Sequence, residues 1–332
     1  MNVLVTGGGG FLGRRIVEML LEAGHEVRFL ARSHYPEVEA LGATGHQVDL
    51  CDALATRQAV EGVDTIVHVA SKAGFWGSYA SYYSTNVEGT RNLLTAAQEL
   101  GVKRFIYTST PSVIGYASDA CGIASAPYPK RWESAYGETK ALAEQMVLAA
   151  NGDTLATISL RPHLIVGPRD NHLLPRVIAR AAAGRLVSVG DGLNRVDLTY
   201  VDNAAQAHLD AAVALSEPNA VAAGKAYFLS NGEPVLIWSW INEVLAELNV
   251  PPVTRRIGRQ TAHLLGFWME LLWRGLRLKS EPPMTRFLAA ALSRAHWYDI
   301  MPLQQDIGYR PSISMKEGTA LTVAWLKEIQ KN

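Results

Sequence analysis

The chain has 332 residues, 31 basic and 31 acidic side chains, and a pI of about 7.1. This length allows one large domain or a domain with an extra lobe, and 48% hydrophobic residues against 19% charged ones exclude wholesale disorder. Zero net charge argues against a nucleic-acid-binding protein driven by bulk electrostatics. The isolated Cys51 and Cys121 favour a reducing compartment and indicate neither a zinc site nor a disulfide framework, so no metal is expected.

A short β-type run at residues 2–5 leads directly into a glycine-rich turn, after which apolar residues recur at helical spacing. In this arrangement Gly7 would permit a tight turn, and Gly10 would let the backbone approach a pyrophosphate. Gly13 would allow the helix to pack closely on the strand. The helix N-terminus would present free N–H groups and its positive dipole end to the phosphates. Because the glycine spacing differs from the commoner G-x-G-x-x-G, a turn without a ligand is the alternative.

Strands and helices alternate along the first half of the chain. We predict further strands at residues 27–31, 47–48, 65–70, 104–108 and 155–160, and long helices at 81–100 and 134–150. This alternation is typical of an α/β fold with a doubly wound parallel sheet of the Rossmann type. Ligands bind such sheets at the carboxyl ends of the strands.

The sequence changes in character near Gly167, where elements become shorter and most of the tryptophans follow. We therefore predict a dinucleotide-binding domain over residues 1–167. A smaller, mainly substrate-binding C-terminal lobe would occupy residues 168–332, with segments that return to the sheet.

Tyr136 and Lys140 lie four residues apart in the helix predicted at 134–150, so they share one helical face. A nearby ammonium favours the phenolate, and we expect the pKa of this phenol to lie below its usual value of about 10. Such a tyrosine can act as general acid or base at a carbonyl or carbinol centre. The spacing also arises readily by chance, so its meaning depends on the other motifs.

The residues after the second predicted strand bear on the choice of cofactor. Sites that prefer NAD place an acidic residue about 20 residues beyond the glycines, where it holds the ribose 2′-hydroxyl. Here the stretch reads Leu30-Ala31-Arg32-Ser33, without an acid, and the planar cation of Arg32 suits a 2′-phosphate. We predict NADP(H) rather than NAD(H). The alternative is that Arg32 is a solvated surface cation.

Six motifs follow one another along the chain: Thr6-Gly-Gly-Gly-Gly-Phe-Leu-Gly13, Asn86-Val-Glu-Gly-Thr90, Tyr107-Thr-Ser-Thr-Pro-Ser-Val113, Tyr136-x-x-x-Lys140, Leu160-Arg-Pro162 and Tyr200-Val-Asp-Asn203. Together they resemble an extended short-chain dehydrogenase/reductase, over nearly the whole chain, of the 3β-hydroxysteroid dehydrogenase/isomerase type. Three further stretches are most similar to the bacterial 2-alkyl-3-oxoalkanoate reductases of long-chain olefin biosynthesis: Ala70-Ser-Lys-Ala-Gly-Phe-Trp76, Val147-Leu-Ala-Ala-Asn-Gly152 and Glu281-Pro-Pro-Met-Thr-Arg286. The resemblance implies a cytoplasmic oxidoreductase of lipid metabolism, a homodimer formed through the two long helices, and association with other enzymes of the pathway.

The resemblance also implies the catalytic residues. Tyr136 would be the acid/base, and Lys140 its partner, which also contacts the nicotinamide ribose. The hydroxyl that hydrogen-bonds the reacting oxygen falls on Thr110, with Ser109 as the second choice, where many relatives have serine. Asn86 would support a helix distortion and a water-linked proton path. The alternatives are a strand-end turn hydrogen bond for Thr110 and a local turn or cap for Asn86.

The cofactor and substrate contacts follow from the same resemblance and from the patterns above. The predicted cofactor-binding residues are Gly7, Gly10, Phe11, Leu12, Gly13, Arg32, Ser33, Asp49, Leu50, Ala70, Lys72, Thr108, Tyr136, Lys140, Pro162 and His163. The predicted substrate-binding residues are Phe75, Trp76, Trp132, His163 and Arg195. Apolar walls suit a long acyl chain or a sterol, and His163 or Arg195 could bind a carboxylate. Core packing and solvated positions are the alternatives.

The apolar run at residues 264–278 is edged by Arg274, Arg277 and Lys279. We favour a lid or core helix of the lobe, because globular helices normally have one apolar face. A helix that lies on a membrane surface or binds a partner is the alternative. No stretch of 18 uninterrupted apolar residues occurs, and the first strand begins at the N-terminus, so we expect neither a transmembrane helix nor a signal peptide.

We therefore predict an NADPH-dependent reductase that converts the 3-oxo group of a hydrophobic substrate, most concretely a 2-alkyl-3-oxoalkanoic acid, to the 3-hydroxy acid. The alternatives are a 3β-hydroxysteroid or sterol dehydrogenase, a nucleotide-sugar epimerase or dehydratase, and a non-catalytic NADP-sensing protein. A sensor would not need the pair of Tyr136 and Lys140. The missing acid near Ala31 and the aromatic lobe argue against the epimerase.

Overall fold

The computed structural model of this chain describes residues 1–74, 76–171, 173–278 and 280–330. The strands are β1 (Asn2–Thr6), β2 (Glu26–Ala31), β3 (Thr44–Gln47), β4 (Thr65–His68), β5 (Arg104–Thr108), β6 (Ala120–Ile123), β7 (Ala156–Pro162), β8 (Ile165–Val166), β9 (Ser188–Val189), β10 (Arg195–Val196), β11 (Thr199–Tyr200), β12 (Lys225–Leu229), β13 (Val235–Leu236), β14 (Arg256–Ile257) and β15 (His296–Tyr298). The helices are α1 (Phe11–Glu22), α2 (Pro36–Glu39), α3 (Ala53–Val60), α4 (Tyr79–Tyr83), α5 (Gly89–Glu99), α6 (Ala135–Ala149), α7 (Leu174–Ala182), α8 (Val201–Ala214), α9 (Ile237–Glu247), α10 (Arg259–Gly275), α11 (Arg286–Ser293), α12 (Met301–Ile307) and α13 (Met315–Ile329). A π-helical turn (Ser84–Glu88) joins α4 to α5, and a 3-10 turn (Pro111–Ile114) follows β5.

Seven parallel strands form the central sheet in the order β3-β2-β1-β4-β5-β7-β12. The chain runs outward from β1 to β3 and then resumes on the other side of β1 with β4. This reversal creates the switch point at which ligands bind in doubly wound sheets, at the carboxyl ends of β1 and β4. The predicted fold class is confirmed.

The strand predicted at 104–108 has the observed bounds, whereas the other predicted strands differ by one to three residues at an end. Two of these differences have a physical reason. The third strand covers Thr44–Gln47 rather than residues 47–48, because its pairing with β2 at the sheet edge holds a polar stretch that shows no hydrophobic pattern. The fourth strand ends at His68 rather than at residue 70. Past that point the backbone N–H of Ala70 donates to the Thr6 hydroxyl (3.0 Å), which turns the chain across the end of β1.

Helices cover both faces of the sheet. Val3 and Val5 of β1 face the layer of α1 and α8, whereas Leu4 faces the layer of α3, α5 and α6, as expected for side chains that alternate along a strand. Burying one Leu or Ile side chain fully contributes about 1.5–3 kcal/mol. The two apolar layers therefore hold the strand ends, and the loops that follow them, in fixed positions.

The single helix predicted at residues 81–100 is instead α4, the π-helical turn and α5. Asn86 lies in the π-helical turn, where its carbonyl oxygen accepts a hydrogen bond from the Thr90 hydroxyl (2.6 Å). Such turns often occur at functional sites. The helix predicted at 134–150 corresponds to α6, with Ser134 as its N-cap and Ala150 as its C-cap.

The chain beyond residue 167 contributes to both parts of the molecule. Strand β12 pairs with β7 in the central sheet, and α8 packs against α1. The other C-terminal elements form a lobe whose core includes Trp238, Trp240 and Ile241. A smaller sheet in the order β13-β10-β15-β6 links this lobe to the first half of the chain. None of the described helices is long and apolar enough to cross a membrane.

Candidate active site

A cavity of about 520 Å³ opens beside the carboxyl ends of the central strands. Its lining includes Lys72 and Trp76 from the segment that follows β4, and Tyr136 from the first turn of α6. Another wall comes from the C-terminal part of α10, with Trp273 and Arg274. The cavity therefore lies between the sheet and the C-terminal lobe.

Tyr136 is positioned by the way α6 begins. Ser134 caps the helix by accepting a hydrogen bond from the backbone N–H of Gly137 (3.1 Å). Position 137 requires glycine, because a Cβ there would lie 2.7 Å from the carbonyl oxygen of Ser112. The helix can therefore approach the 3-10 turn after β5, and Thr110, the N-cap of that turn, hydrogen-bonds the Tyr136 phenol.

The protonation of Tyr136 contradicts the sequence-based expectation. Burial raises the pKa of Tyr136 to about 12, and the hydrogen bond to Thr110 opposes this only in part. The Lys140 ammonium has other partners: Nζ donates to the carbonyl oxygen of Thr108 (2.6 Å) and lies 4.1 Å from the ring centroid of Tyr107. The predicted lowering is wrong because desolvation of the phenol dominates. The Tyr136 phenol is therefore neutral at physiological pH.

Lys140 is itself buried beside an ion pair. Burial lowers the pKa of Lys140 to about 7, and the Glu144 carboxylate, one helical turn further on, opposes the shift. Glu144 is paired with Arg161 of β7 at 2.6 Å, and it also accepts hydrogen bonds from the Tyr128 and Ser159 hydroxyls, both at 2.7 Å. Sequence analysis missed the ion pair of Glu144 with Arg161. The position of Glu144 could have been noticed, because it follows Lys140 by four residues, as Lys140 follows Tyr136.

Thr110 and Ser109 point in different directions. The Thr110 hydroxyl hydrogen-bonds Tyr136, whereas the Ser109 hydroxyl approaches Glu144 and helps to lower the pKa of that carboxyl group. Successive side chains of an extended segment point to opposite sides, so only one of these hydroxyls can reach the phenol. The geometry assigns that place to Thr110.

The Asn86 side chain joins two walls of the cavity. Its Oδ1 accepts from the backbone N–H of Lys72 (2.7 Å), and its Nδ2 donates to the Lys72 carbonyl oxygen (3.2 Å) and to the Thr139 hydroxyl (3.0 Å). Thr139 directly precedes Lys140. Asn86 therefore ties the segment after β4 to α6, next to Lys140.

The glycine turn has the geometry of a phosphate cradle. Gly7 has φ +70°, and a Cβ at Gly13 would lie 2.2 Å from the Gly7 carbonyl oxygen, so both positions need glycine. Gly10 is exposed and forms the N-cap of α1, whose first turn has no side-chain cap. Phe11 and Leu12 begin the helix, and Leu12 is buried in the core. The backbone N–H groups of this turn can therefore face a ligand.

The predicted adenosine side of the site is accessible at the end of β2. Arg32 and Ser33 are exposed, and the Arg32 guanidinium forms no ion pair with any residue that the structure describes. Asp49 is also exposed and accepts a hydrogen bond from the backbone N–H of Cys51 (2.9 Å). Leu50 is buried against α5. A Cβ added at Gly89 of α5 would lie 2.9 Å from the Cβ of Leu50, so glycine at position 89 makes room for this side chain.

Four further predicted cofactor residues lie at or just beyond strand ends. Ala70 and Lys72 follow β4, Thr108 ends β5 and Pro162 ends β7. The Lys72 ammonium donates to the Ser81 hydroxyl (2.8 Å) at the cavity wall. These residues share one edge of the sheet, as the sequence predicted for the carboxyl ends of parallel strands.

His163 is not part of the cavity lining. Its Nε2 lies 2.6 Å from Nδ1 of His296, and burial lowers its pKa well below the usual value. The proposed role of His163 in binding a substrate carboxylate is therefore unsupported by its position. A neutral, buried imidazole joined to β15 fits a structural role between the sheet and the lobe.

The other predicted substrate residues separate into two groups. Trp76 lines the cavity, and its Nε1 donates to the carbonyl oxygen of Leu278 (3.3 Å). Trp132 donates to the Val113 carbonyl oxygen (2.7 Å) and packs near the start of α6 outside the lining. Arg195 is exposed on β10 and also lies outside it. Phe75 lies outside the described residues.

Sequence analysis missed most of the α10 wall. The Arg274 guanidinium lies 5.7 Å from the ring centroid of Trp76, and Arg277 lines the same cavity. Glu270 also lines it, but its charge is paired with Arg286 at 2.8 Å. Arg274 and Arg277, at the edge of the apolar run, could have indicated this wall from the sequence. The predicted lid or core helix is α10, which does contribute a cavity wall.

Comparison with known proteins agrees with this geometry. Residues 4–256 match the 3-beta hydroxysteroid dehydrogenase/isomerase family. The chain is 49% identical over 321 residues to a 2-alkyl-3-oxoalkanoate reductase of Stenotrophomonas maltophilia, with 96% of this chain and 97% of that protein covered. It is 45% identical to a protein of the same name from Shewanella oneidensis, with 96% and 84% covered.

A more distant relative and a solved structure of the same fold carry other names. The chain is 33% identical to a mouse protein named sterol-4-alpha-carboxylate 3-dehydrogenase, decarboxylating, with 99% of this chain and 91% of that protein covered. The solved structure of MoeE5 in complex with UDP-glucose and NAD has a TM-score of 0.77 at 23% identity and covers 99% of this chain and 100% of that one, which shows a shared fold. The resemblance drawn from the motifs is confirmed, and the chain is an oxidoreductase that belongs to the 3-beta hydroxysteroid dehydrogenase/isomerase family.

Proposed function

We propose that this protein reduces the 3-oxo group of a 2-alkyl-3-oxoalkanoic acid to the 3-hydroxy acid, with NADPH as reductant. The observation that carries the proposal is one cavity that combines the neutral Tyr136 phenol with aromatic and cationic side chains. The two relatives named 2-alkyl-3-oxoalkanoate reductase support the substrate class.

The residues at the switch point suit a dinucleotide. The uncapped first turn of α1 and the exposed Gly10 would hold the pyrophosphate, and the unpaired Arg32 would hold the 2′-phosphate of NADP(H). Asp49 and Leu50 would lie on the adenine side, and Lys140 on the nicotinamide side. When bound, NADPH supplies a hydride to the substrate carbonyl carbon.

The chain's own residues handle the proton. With a pKa of about 12, the Tyr136 phenol is protonated and gives its proton to the substrate oxygen. The π bond of the carbonyl is lost and a C–O single bond remains, while a C–H bond forms at carbon, an O–H bond forms at oxygen, and Tyr136 is left as the phenolate. Thr110 would hydrogen-bond the same oxygen. Lys140, whose pKa is about 7, would stabilise the phenolate and return a proton to it. A water-linked route near Asn86 would then restore the proton of Lys140.

The cationic wall would bind the carboxylate of the substrate. Lys72, Arg274 and Arg277 line the cavity, but the Lys72 ammonium already donates to Ser81. Arg274 lies near the face of the Trp76 indole, which orients its guanidinium, and a guanidinium suits bidentate recognition of a carboxylate. We assign the carboxylate to Arg274 and the alkyl chains to the aromatic walls.

A sterol dehydrogenase is the second candidate. The 33% identical relative named sterol-4-alpha-carboxylate 3-dehydrogenase and the aromatic cavity walls favour it. A nucleotide-sugar enzyme is less favoured, since only distant structural neighbours suggest it. A non-catalytic NADP sensor would have no use for a buried Tyr136 beside Thr110. We also infer a cytoplasmic homodimer formed through α5 and α6 and associated with other enzymes of olefin biosynthesis, as the family resemblance implies.

The candidates are separated by incubating the purified protein with NADP⁺ or NAD⁺ and a panel of 2-alkyl-3-hydroxy acids, sterols and UDP-sugars. We expect turnover of the hydroxy acids, with NADP⁺ preferred. Turnover of sterols alone would move the assignment to the second candidate. Tight cofactor binding without any turnover would favour a sensor.

A further inference from the structure

We propose that α10 docks the protein onto an anionic lipid surface. The helix presents a row of large apolar side chains to solvent, with exposed fractions between 52% and 61%. This apolar face of α10 consists of Leu264, Trp268, Leu271 and Leu272, together with Leu276, the C-cap residue of the helix. Leu264, Trp268 and Leu272 follow one another at four-residue spacing, so they lie on one side of the helix.

The opposite side of α10 attaches it to the lobe through small and polar residues. Ala262, Gly266 and Glu270 are its buried residues. A Cβ at Gly266 would lie 2.6 Å from the carbonyl carbon of Thr285, so glycine permits close contact with the start of α11. Glu270 accepts a hydrogen bond from the backbone N–H of Arg286 (2.7 Å) and pairs with its guanidinium.

This arrangement is the reverse of an ordinary amphipathic helix, which buries its apolar face against the core. Packing of the lobe holds α10 through its small and polar side, so the apolar face stays available to an apolar phase outside the protein. Exposed apolar patches of this kind mark interaction surfaces.

The positive charge of the segment around α10 favours an anionic lipid surface as the partner of the apolar face. Residues 255–294 contain eight Lys and Arg but two Asp and Glu, a formal charge of +6 in a chain whose net charge is zero. Both carboxylates are neutralised, Glu270 by Arg286 and Glu281 by Arg176. An apolar face rimmed by cations is the pattern of helices that lie in the plane of an anionic bilayer surface. A second copy of this chain would bring two positive surfaces together, which disfavours self-association through this face.

The apolar face of α10 lies next to residues that line the cavity, so docking bears on how a substrate enters. Trp273 and Arg274 line the cavity and directly follow Leu272 of the apolar face along α10. Arg277, another lining residue, follows Leu276 just beyond the end of the helix. Docking would therefore place the cavity beside the lipid phase, from which a water-insoluble substrate could enter. The docking itself does not depend on which hydrophobic substrate is used.

The test measures binding of the purified full chain to vesicles, without turnover. Vesicles of phosphatidylethanolamine with phosphatidylglycerol are compared with pure phosphatidylcholine vesicles by flotation, at about 0.1 M and about 0.5 M salt. We expect binding to the anionic vesicles, weakened by the higher salt. The double variant Trp268→Glu, Leu272→Glu should bind at least about tenfold more weakly, since two apolar side chains no longer enter the bilayer.

A matched control is Leu54→Glu, because Leu54 is 68% exposed on α3, which packs against α5, whereas α10 packs against α11. It should bind like the wild type. Thermal melts and turnover of a water-soluble substrate should be unchanged in both variants, which separates lost docking from lost folding. Absent binding to anionic vesicles, equal binding to both kinds of vesicle, or an unaffected double variant would each overturn the proposal. The proposal would also be overturned if the wild type were a dimer and the double variant a monomer, while both bound vesicles equally well.

Discussion

Replacing Arg274 with methionine should weaken substrate binding through the carboxylate and leave the chemistry at Tyr136 intact. Arg274 lines the cavity beside Trp76 and forms no ion pair within the described part of the chain. A hydrogen bond to a charged group contributes about 1.5–3 kcal/mol. Because Arg274 is exposed, solvent screening favours the lower value, about 1.5 kcal/mol, which corresponds to a roughly tenfold rise in KM at unchanged kcat.

The assay compares a 2-alkyl-3-oxo acid with its methyl ester, which keeps the reacting carbonyl but lacks the negative charge. For Arg274→Met, the ratio of kcat/KM for acid over ester should fall about tenfold relative to the wild type. Arg195→Met is the control, because Arg195 is exposed on β10 and outside the cavity lining. An unchanged ratio in Arg274→Met would refute the carboxylate assignment. Equal losses on acid and ester would show that Arg274 acts on the fold of the cavity instead.

Three further outcomes are expected. Tyr136→Phe should lower kcat by at least about 100-fold with an unchanged melting temperature, and a fully active variant would remove the phenol from the mechanism. Arg32→Asp should raise the KM for NADPH by about tenfold or more and favour NADH, so a wild type that uses NADH equally well would contradict the role of Arg32. Glu144→Gln should lower the free energy of unfolding in urea by about 3–5 kcal/mol, because Arg161 keeps a buried, unpaired charge. Replacing Glu144 and Arg161 together by leucine should cost less than Glu144→Gln, and an equal or greater loss would contradict the argument.

The pH dependence of the Glu144 contribution has a definite sign. Burial alone would raise the pKa of Glu144, but the hydrogen bonds and charge of Arg161 outweigh burial and lower it. A lowered folded-state pKa gives stabilisation that is present above the unfolded value of about 4.3 and is lost as pH falls through the folded value. Wild-type stability should therefore decline in that acidic range more steeply than that of the double leucine variant, as unfolding at several pH values would show.

The sequence located the parts of the site that depend on short-range patterns. The glycine turn is recognised from three glycines within seven residues, Gly7, Gly10 and Gly13. The pair of Tyr136 and Lys140 is recognised from a spacing of about one helical turn. The alternation of strands and helices fixed the sheet edge at which these parts meet. The family resemblance ranked Thr110 before Ser109, but which of the two hydroxyls faces the phenol depends on how the end of β5 packs against α6, which the structure shows.

The least predictable features join segments that are distant in the chain. The cavity wall of α10, the ion pair of Glu144 with Arg161 and the contact of His163 with His296 all depend on long-range packing. The error about the pKa of Tyr136 has the same origin. Spacing shows that a cation is one turn away, but desolvation depends on every segment that closes over the phenol.

The sequence by itself therefore determined the fold class, the glycine turn, the helix that carries Tyr136 and Lys140, and the family, because each shows as a short motif or as a regular alternation along the chain. Only the tertiary structure decided the protonation of Tyr136 and Lys140, the exclusion of His163 and Arg195 from the cavity, and the exposure of the apolar face of α10. These properties depend on burial, and burial is set by contacts between residues that are distant in the chain, such as His163 and His296.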